Sequence, residues 1–100
     1  MEIVKKAICG SLESSDVLIT ISPNDKKGIN LDLNSIVLTT FGNSIKKTIH
    51  EILEEYKIKN INIIINDRGA ADFAIRARLK GAIHRASQEK YDWSKEDKHV

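Results

Sequence analysis

The sequence predicts an α+β protein: a single small domain with a mostly antiparallel sheet of about four strands and two helices on one face, in the order β-β-β-α-β-α. Its 100 residues, 41% hydrophobic and 30% charged, suit one globular domain and leave no room for a second. Four short segments are strand candidates, because they alternate apolar and polar residues or are rich in β-branched residues. Two other segments repeat apolar residues every three or four positions, which is typical of amphipathic helices that cover a sheet.

The four strand candidates differ in strength. Residues 3–8 form a weak one, because two lysines interrupt it. Residues 17–22 alternate cleanly, and residues 29–33 alternate again after the turn at Pro23, so we expect these two strands to pair as a hairpin. Residues 58–66 are rich in isoleucine, which suits a central strand of the sheet.

The two helices follow from the change of apolar period. The first begins at Ser35 or only near Asn43, where a glycine and an asparagine interrupt its stripe. The second runs from about Ala70 to Ala86, and Asp67 in the turn ahead of it is a candidate helix cap.

The last residues differ in composition from the rest of the chain. Residues 1–87 form the predicted domain, and residues 88–100 are polar and without periodicity, so we expect a flexible tail. Tyr91 and Trp93 in this tail are either incidental or an anchor for a docking partner.

Composition argues against nucleic acid and membranes as partners. The net charge is only +2, both signs are interspersed, and five aromatic residues are too few for a base-stacking surface. The longest apolar runs, such as residues 63–65, are far shorter than the roughly 20 residues that span a bilayer. Because the N-terminus also lacks the apolar segment of a secretion signal, we expect a cytoplasmic protein.

The sequence contains no recognisable catalytic or metal-binding motif. It has neither a glycine-rich phosphate loop nor a nucleophile elbow. His50, His84 and His99 lack the spacing of metal ligands, so we expect no metal. The single cysteine, Cys9, can form no internal disulfide and is expected to be a small buried apolar residue rather than a nucleophile.

The stretch GSLESSD, residues 10–16, has the composition of an exposed loop that could carry a chemical group. A carrier protein needs a hydroxyl on an exposed loop, to which another enzyme can attach a cofactor. Ser11, Ser14 and Ser15 supply hydroxyls, and Gly10 supplies backbone freedom.

The acidic residues of this stretch allow two interpretations. Glu13 and Asp16 could support the loop and mark it for a modifying enzyme. Alternatively, Ser14, Ser15 and Asp16 only form a turn that leads into the next strand. The residues alone leave both open, together with a binding module and a structural subunit.

Three blocks of the sequence resemble a known family. AICGSLESSDVLITISP, residues 7–23, is similar to the N-terminal segment of the acyl carrier subunit (gamma chain) of citrate lyase. FGNSIKKTI, residues 41–49, and INIIINDRGAADFAIRARLKGAIHRAS, residues 61–87, resemble later parts of the same family. In order and spacing, the resemblance covers nearly all of residues 1–87, which it identifies as an acyl carrier domain.

The resemblance implies which serine is modified. Residues 10–14 match the family motif G-[ST]-L-E-S, whose final serine carries 2'-(5''-phosphoribosyl)-3'-dephospho-CoA through a phosphodiester bond. By that match Ser14 is the attachment site. Ser15 falls where the family varies, and Ser11 where threonine also occurs.

The resemblance also implies partners and a task. A transferase would attach the prosthetic group, and an acetyl ligase would charge its thiol. The alpha subunit of citrate lyase would exchange acetyl for citryl, and the beta subunit would cleave the citryl thioester to oxaloacetate. The chain itself would supply no catalytic group, only the high effective concentration of a tethered thioester.

Three arginines are candidates for contact with the prosthetic group. Arg76 and Arg78 lie in the matched I-R-A-R block, and Arg68 lies in the turn ahead of it. We hypothesise that one or more of them contacts its phosphates or an acidic patch of a partner. The alternative for Arg76 is an ordinary i,i+4 ion pair with Asp72, worth only about 0.3–0.5 kcal/mol.

Two other functions remain open from the sequence. The carrier subunit of malonate decarboxylase, with the same type of prosthetic group, would also need a serine loop, but the L-E-S-S-D string and the I-R-A-R block favour citrate lyase. A small interaction module without a cofactor is the alternative from another class.

Overall fold

A computed structural model describes residues 1–87, and the predicted tail with Tyr91, Trp93 and His99 lies outside this part of the chain. The elements in chain order are the strands β1 (Ala7–Gly10), β2 (Val17–Ser22) and β3 (Ile29–Ser35), the helix α1 (Leu38–Glu55), the strand β4 (Ile61–Asp67) and the helix α2 (Asp72–Ser87). This order confirms the predicted β-β-β-α-β-α arrangement and the α+β class.

The four strands form one mixed sheet in the order β1-β2-β4-β3. β1 pairs with β2 and β2 with β4 in antiparallel fashion, whereas β3 runs parallel to β4. The predicted hairpin of β2 and β3 is therefore wrong, because β4 lies between these two strands.

The burial of β4 explains this insertion. Its isoleucines that face the helices are at most 1% exposed, and this strongly apolar strand takes the central position between β2 and β3 beneath both helices. The loop from β2 to β3 crosses the start of β4 and is held there by hydrogen bonds, two of which involve side chains. Asn62 Nδ2 donates to the Pro23 carbonyl (3.0 Å), and the Gly28 N–H donates to Asn60 Oδ1 (2.8 Å).

The core lies between one face of the sheet and both helices, as predicted. α2 packs against β1 and β2, and α1 packs against α2 and β3. The large aliphatic side chains that are under 2% exposed come from both layers: Val17, Ile19, Ile21, Ile49, Ile52, Leu53, Ile61, Ile63, Ile65, Leu79 and Ile83. The other face of the sheet is open, and Ile8 and Ile64 on it are 48% and 43% exposed.

The helix starts differ from the predicted ones. α1 begins at Leu38, because the Ser35 hydroxyl accepts the Val37 N–H and donates to Asp67, which ends β3 there. α2 begins at Asp72 instead of Ala70. Asp67 accepts the Ala70 N–H (2.9 Å) and so closes the turn ahead of α2 rather than capping the helix itself.

The fold also bears on the packing of Cys9 and on whether a helix could cross a membrane. Cys9 is buried in β1 and lies against Gly81 of α2, which confirms that it packs as a small apolar residue. Within residues 1–87, neither helix is both long and apolar enough to cross a bilayer.

Candidate functional site

Residues 11–16, here called the serine loop, connect β1 to β2 and display Ser14 at their tip. The Asp16 N–H donates to the Glu13 carbonyl (3.1 Å), which closes a turn around Ser14 and Ser15. Ser15 has a φ of +65°, and the side chains from Leu12 to Ser15 are exposed. The Ser14 hydroxyl is therefore accessible to the active site of another protein.

Gly10 closes the base of the serine loop. Its φ is +102°, a region that strongly favours glycine. A Cβ at this position would overlap the Val17 carbonyl oxygen, which accepts the Ser11 N–H (3.1 Å). Glycine is thus needed here for a close approach of two backbones, and the loop base is held in place rather than free.

Asp16 connects the serine loop to α2. Its carboxylate accepts the Ser11 hydroxyl (2.6 Å) and the Val17 N–H (2.8 Å). It also accepts two hydrogen bonds from Arg78, from Nε at 3.3 Å and Nη2 at 3.1 Å. The hydrogen bonds from Ser11, Val17 and Arg78 lower the pKa of Asp16 from an ordinary 3.8 to about 2.

The turn after β4 gives the loop a second support. The Ser15 N–H donates to the Arg68 carbonyl (2.9 Å), and the Arg68 N–H donates to the Asp16 carbonyl (2.9 Å). These bonds extend the antiparallel ladder of β2 and β4 past its last pair, Val17 with Asp67. The backbone on both sides of the Ser14 tip is therefore fixed to the sheet.

The structure separates the three arginines predicted from the sequence. Arg78 forms hydrogen bonds with the Asp16 carboxylate, and the backbone of Arg68 forms hydrogen bonds with the serine loop. Arg76 instead pairs with Asp72 (2.6 Å) and Glu51 (3.0 Å), so the expected i,i+4 ion pair is present and a second acidic partner on α1 joins it. A hydrogen bond from Thr48 and the bond from Arg76 lower the pKa of Asp72.

A groove of about 520 Å³, here called the strand-end groove, opens beside the serine loop where β3 and β4 end. The exposed residues that line it are Leu12, Asn34, Ile36, Leu38 and Arg68, and the half-buried or buried ones are Ser35, Asn66 and Asp67. Asn34, Ile36 and Asn66 were not predicted as site residues from the sequence. The available signal was an asparagine near the end of each of two predicted strands, but it required knowing that those strands are neighbours.

The remaining chemistry-bearing residues do not converge on this region. Among residues 1–87, no group of three or more His, Cys, Asp or Glu side chains is placed to hold a metal. His84 lies edge-on to Tyr56 on the helical layer instead. A small α+β domain with exposed serine hydroxyls on a hydrogen-bonded loop meets the structural requirement for the class of carrier proteins.

Comparison with known proteins identifies the family within this class. Residues 4–86 match the family described as "ACP: Malonate decarboxylase delta subunit (MdcD)". The citrate lyase acyl carrier protein of Treponema denticola is 45% identical over 89 residues, 89% of this chain and all of the relative. That of Streptococcus pyogenes serotype M4 is 45% identical over 97% of this chain and 96% of its own. The chain belongs to the citrate lyase acyl carrier protein family.

Two further similarities agree with this membership. The citrate lyase acyl carrier protein of Escherichia fergusonii is 42% identical over 89% of this chain and 92% of its own. A chain in the crystal structure of a Pseudomonas malonate decarboxylase hetero-tetramer in complex with malonate shares the fold, with a TM-score of 0.60 over 86% of this chain and 92% of that one. At 15% identity, that likeness concerns the fold alone. The family predicted from the sequence is confirmed, and the protein is a carrier subunit, not an enzyme.

Proposed function

We propose that this chain is the acyl carrier subunit of a cytoplasmic citrate lyase and carries 2'-(5''-phosphoribosyl)-3'-dephospho-CoA on Ser14. The observation that supports the proposal most is the exposure of Ser14 on a loop whose two ends are hydrogen-bonded to the sheet. Relatives at 42–45% identity are named citrate lyase acyl carrier proteins, which supports the choice of complex.

The residues around Ser14 suit a phosphodiester at that position. A phosphodiester is an anion, and Asp16 lies only two residues away. Arg78 pairs with the Asp16 carboxylate through two hydrogen bonds, which offsets its repulsion of a nearby phosphate. Asp16 and Arg78 therefore act as positioning residues, and Ser14 is the point of attachment.

The attached group would supply a thiol on a long arm, able to hold an acetyl or citryl residue as a thioester. The alpha subunit would perform the acyl transfer, and the beta subunit would perform the cleavage to oxaloacetate. The contribution of this chain is to tether the thiol near both active sites, which raises its effective concentration there. Within the chain, the loop base stays fixed while only the arm moves.

An intact-mass measurement tests the proposal. The chain is co-expressed with the prosthetic-group transferase and with the enzyme that makes the activated donor of the group, and we expect the chain to gain the mass of the dephospho-CoA derivative. The loaded chain, charged with acetate by the acetyl ligase, should then restore citrate cleavage when it is added to alpha and beta subunits of citrate lyase. A chain that stays unmodified while the transferase and the donor-forming enzyme are both active would overturn the proposal and favour an interaction module without a cofactor.

The second candidate is the carrier subunit of malonate decarboxylase. The description of the matching family, which names the delta subunit of malonate decarboxylase, favours it. The loaded chain can be added in parallel to the other subunits of that enzyme. Malonate decarboxylation without citrate cleavage would select this candidate over citrate lyase.

A further inference from the structure

We propose that the strand-end groove binds the phosphate and nucleotide portion of the group on Ser14, so that the base of the arm lies against the protein. The inference rests on the proposed function and adds a binding site to it. It is carried by three features of the groove: its position beside Ser14, its charge, and the chemistry of its walls.

The position of the groove follows from the serine loop. Leu12, two residues before Ser14, forms part of its wall. Arg68 also lines the groove, and its carbonyl accepts the Ser15 N–H at 2.9 Å. Residues on both sides of Ser14 are therefore fixed at the groove, and a group attached to Ser14 begins at its edge.

The charge of the groove suits a phosphate. Arg68 is exposed and is the one cationic side chain among its lining residues, whereas the guanidinium groups of Arg76 and Arg78 bind carboxylates elsewhere. The acidic side chain in the lining, Asp67, is 2% exposed, and its oxygens accept hydrogen bonds from Ser35 and Ala70. The accessible charge of the groove is thus positive.

The walls of the groove suit a nucleotide. Asn34 and Asn66 stand opposite each other in the register of β3 and β4, on the open face of the sheet. Their amides can both donate to and accept from the edge of a base. Leu12, Ile36 and Leu38 are 51%, 66% and 45% exposed and offer apolar surface to the face of a base. The volume of about 520 Å³ falls within the range of small-molecule sites, roughly 300–1,000 Å³.

Nuclear magnetic resonance of the ¹⁵N-labelled full chain tests the inference, before and after loading that intact mass confirms. We expect loading to shift the side-chain amide signals of Asn34 and Asn66 and the Nε–H signal of Arg68. Asn30 is the internal control, because it lies on the same strand and face, away from the serine loop. Its side-chain amide signal should not shift.

Two loaded variants separate the groove from general effects of loading. Arg68→Gln should lose most of the shift at Asn34 and Asn66, because the cation that holds the phosphate is gone. The matched variant Arg76→Gln removes an arginine that pairs with Asp72 and Glu51, and it should keep those shifts.

Two results would count against the inference, and they are distinguishable. If a loaded chain shows shifts only in the serine loop, the arm extends freely and the groove proposal is overturned while the proposed function stands. If the chain gains no mass while the transferase and the donor-forming enzyme are both active, the proposed function fails and the groove proposal fails with it.

Discussion

Asp16 holds the serine loop in place, although the proposed attachment site is a different residue of that loop, Ser14. Its carboxylate accepts hydrogen bonds from a hydroxyl at the start of the serine loop, from a backbone N–H at the start of β2 and from a guanidinium on α2. Arg78 lies 62 positions away in the sequence, so this pair becomes visible only once the fold is known. The sequence suggested Asp16 as a possible mark for a modifying enzyme, and the structure gives it a direct role in holding the loop.

The lowered pKa of Asp16 predicts how the loop responds to acid. Because the folded-state value of about 2 lies below the ordinary 3.8, the ionised carboxylate stabilises the fold above pH 3.8, and this contribution is lost as the pH falls toward 2. A ¹³C titration of the Asp16 carboxyl should therefore have its midpoint well below 3.8. Ser11→Ala and Arg78→Gln should each raise that midpoint, because each removes a hydrogen bond to the carboxylate. A wild-type midpoint near 3.8 would contradict the observed contacts.

Gly10 makes a second prediction at the scale of one residue. Gly10→Ala places a Cβ against the Val17 carbonyl in addition to the strain of its positive φ. Gly28→Ala is the matched control, because Gly28 has a similar φ of +98° but no atom within 4 Å of the added Cβ. We expect the control to lose about 1–3 kcal/mol from backbone strain alone. Gly10→Ala should lose clearly more in chemical denaturation, and equal losses would contradict the close approach.

For the strands, the sequence pattern predicted where each strand lies but not which strands pair with each other. The alternation of residues 17–22 and 29–33 predicted two strands, and both are present as β2 and β3. Their pairing could not be predicted from that pattern, because alternation specifies faces and says nothing about neighbours. The connecting loop is long enough to cross β4, and side chains of β4 and of the residue before it, Asn62 and Asn60, hold the loop in that position.

The same reasoning explains which parts of the site were predicted. The serine loop was predicted because its residues are contiguous in sequence and fit a family motif. The strand-end groove was missed because Asn34 and Asn66 become neighbours only through the parallel pairing of β3 and β4. Neither residue has a distinctive local pattern.

The central place of β4 gives a prediction about stability. Ile63 is 1% exposed beneath the helices, whereas Ile64 is 43% exposed on the open face. Ile63→Ala should cost about 2–5 kcal/mol of unfolding free energy, because it leaves a cavity. Ile64→Ala should cost only about 1 kcal/mol, from lost strand preference and partial burial. Urea denaturation of both variants measures the difference, and equal costs would contradict the assignment of the two faces.

In the molecule as a whole, the packed sheet and helices are distinct from the region around Ser14, which offers the reactive hydroxyl. The helices cover one face of the sheet, and the serine loop and strand-end groove lie at one end of it. The backbone around Ser14 is hydrogen-bonded to β2 and to the turn after β4, and the Asp16 side chain links the loop to α2. Such a division suits a subunit that must offer one group to more than one active site.

We propose that Ser14, and not its neighbour Ser15, is the point of attachment. Tandem mass spectrometry of the chain after co-expression with the transferase and the donor-forming enzyme locates the modified residue directly. We expect the added mass on Ser14, complete loss of loading in Ser14→Ala, and loading that persists in Ser15→Ala. Loading of Ser14→Ala, or added mass on Ser15 in the wild-type chain, would contradict the account.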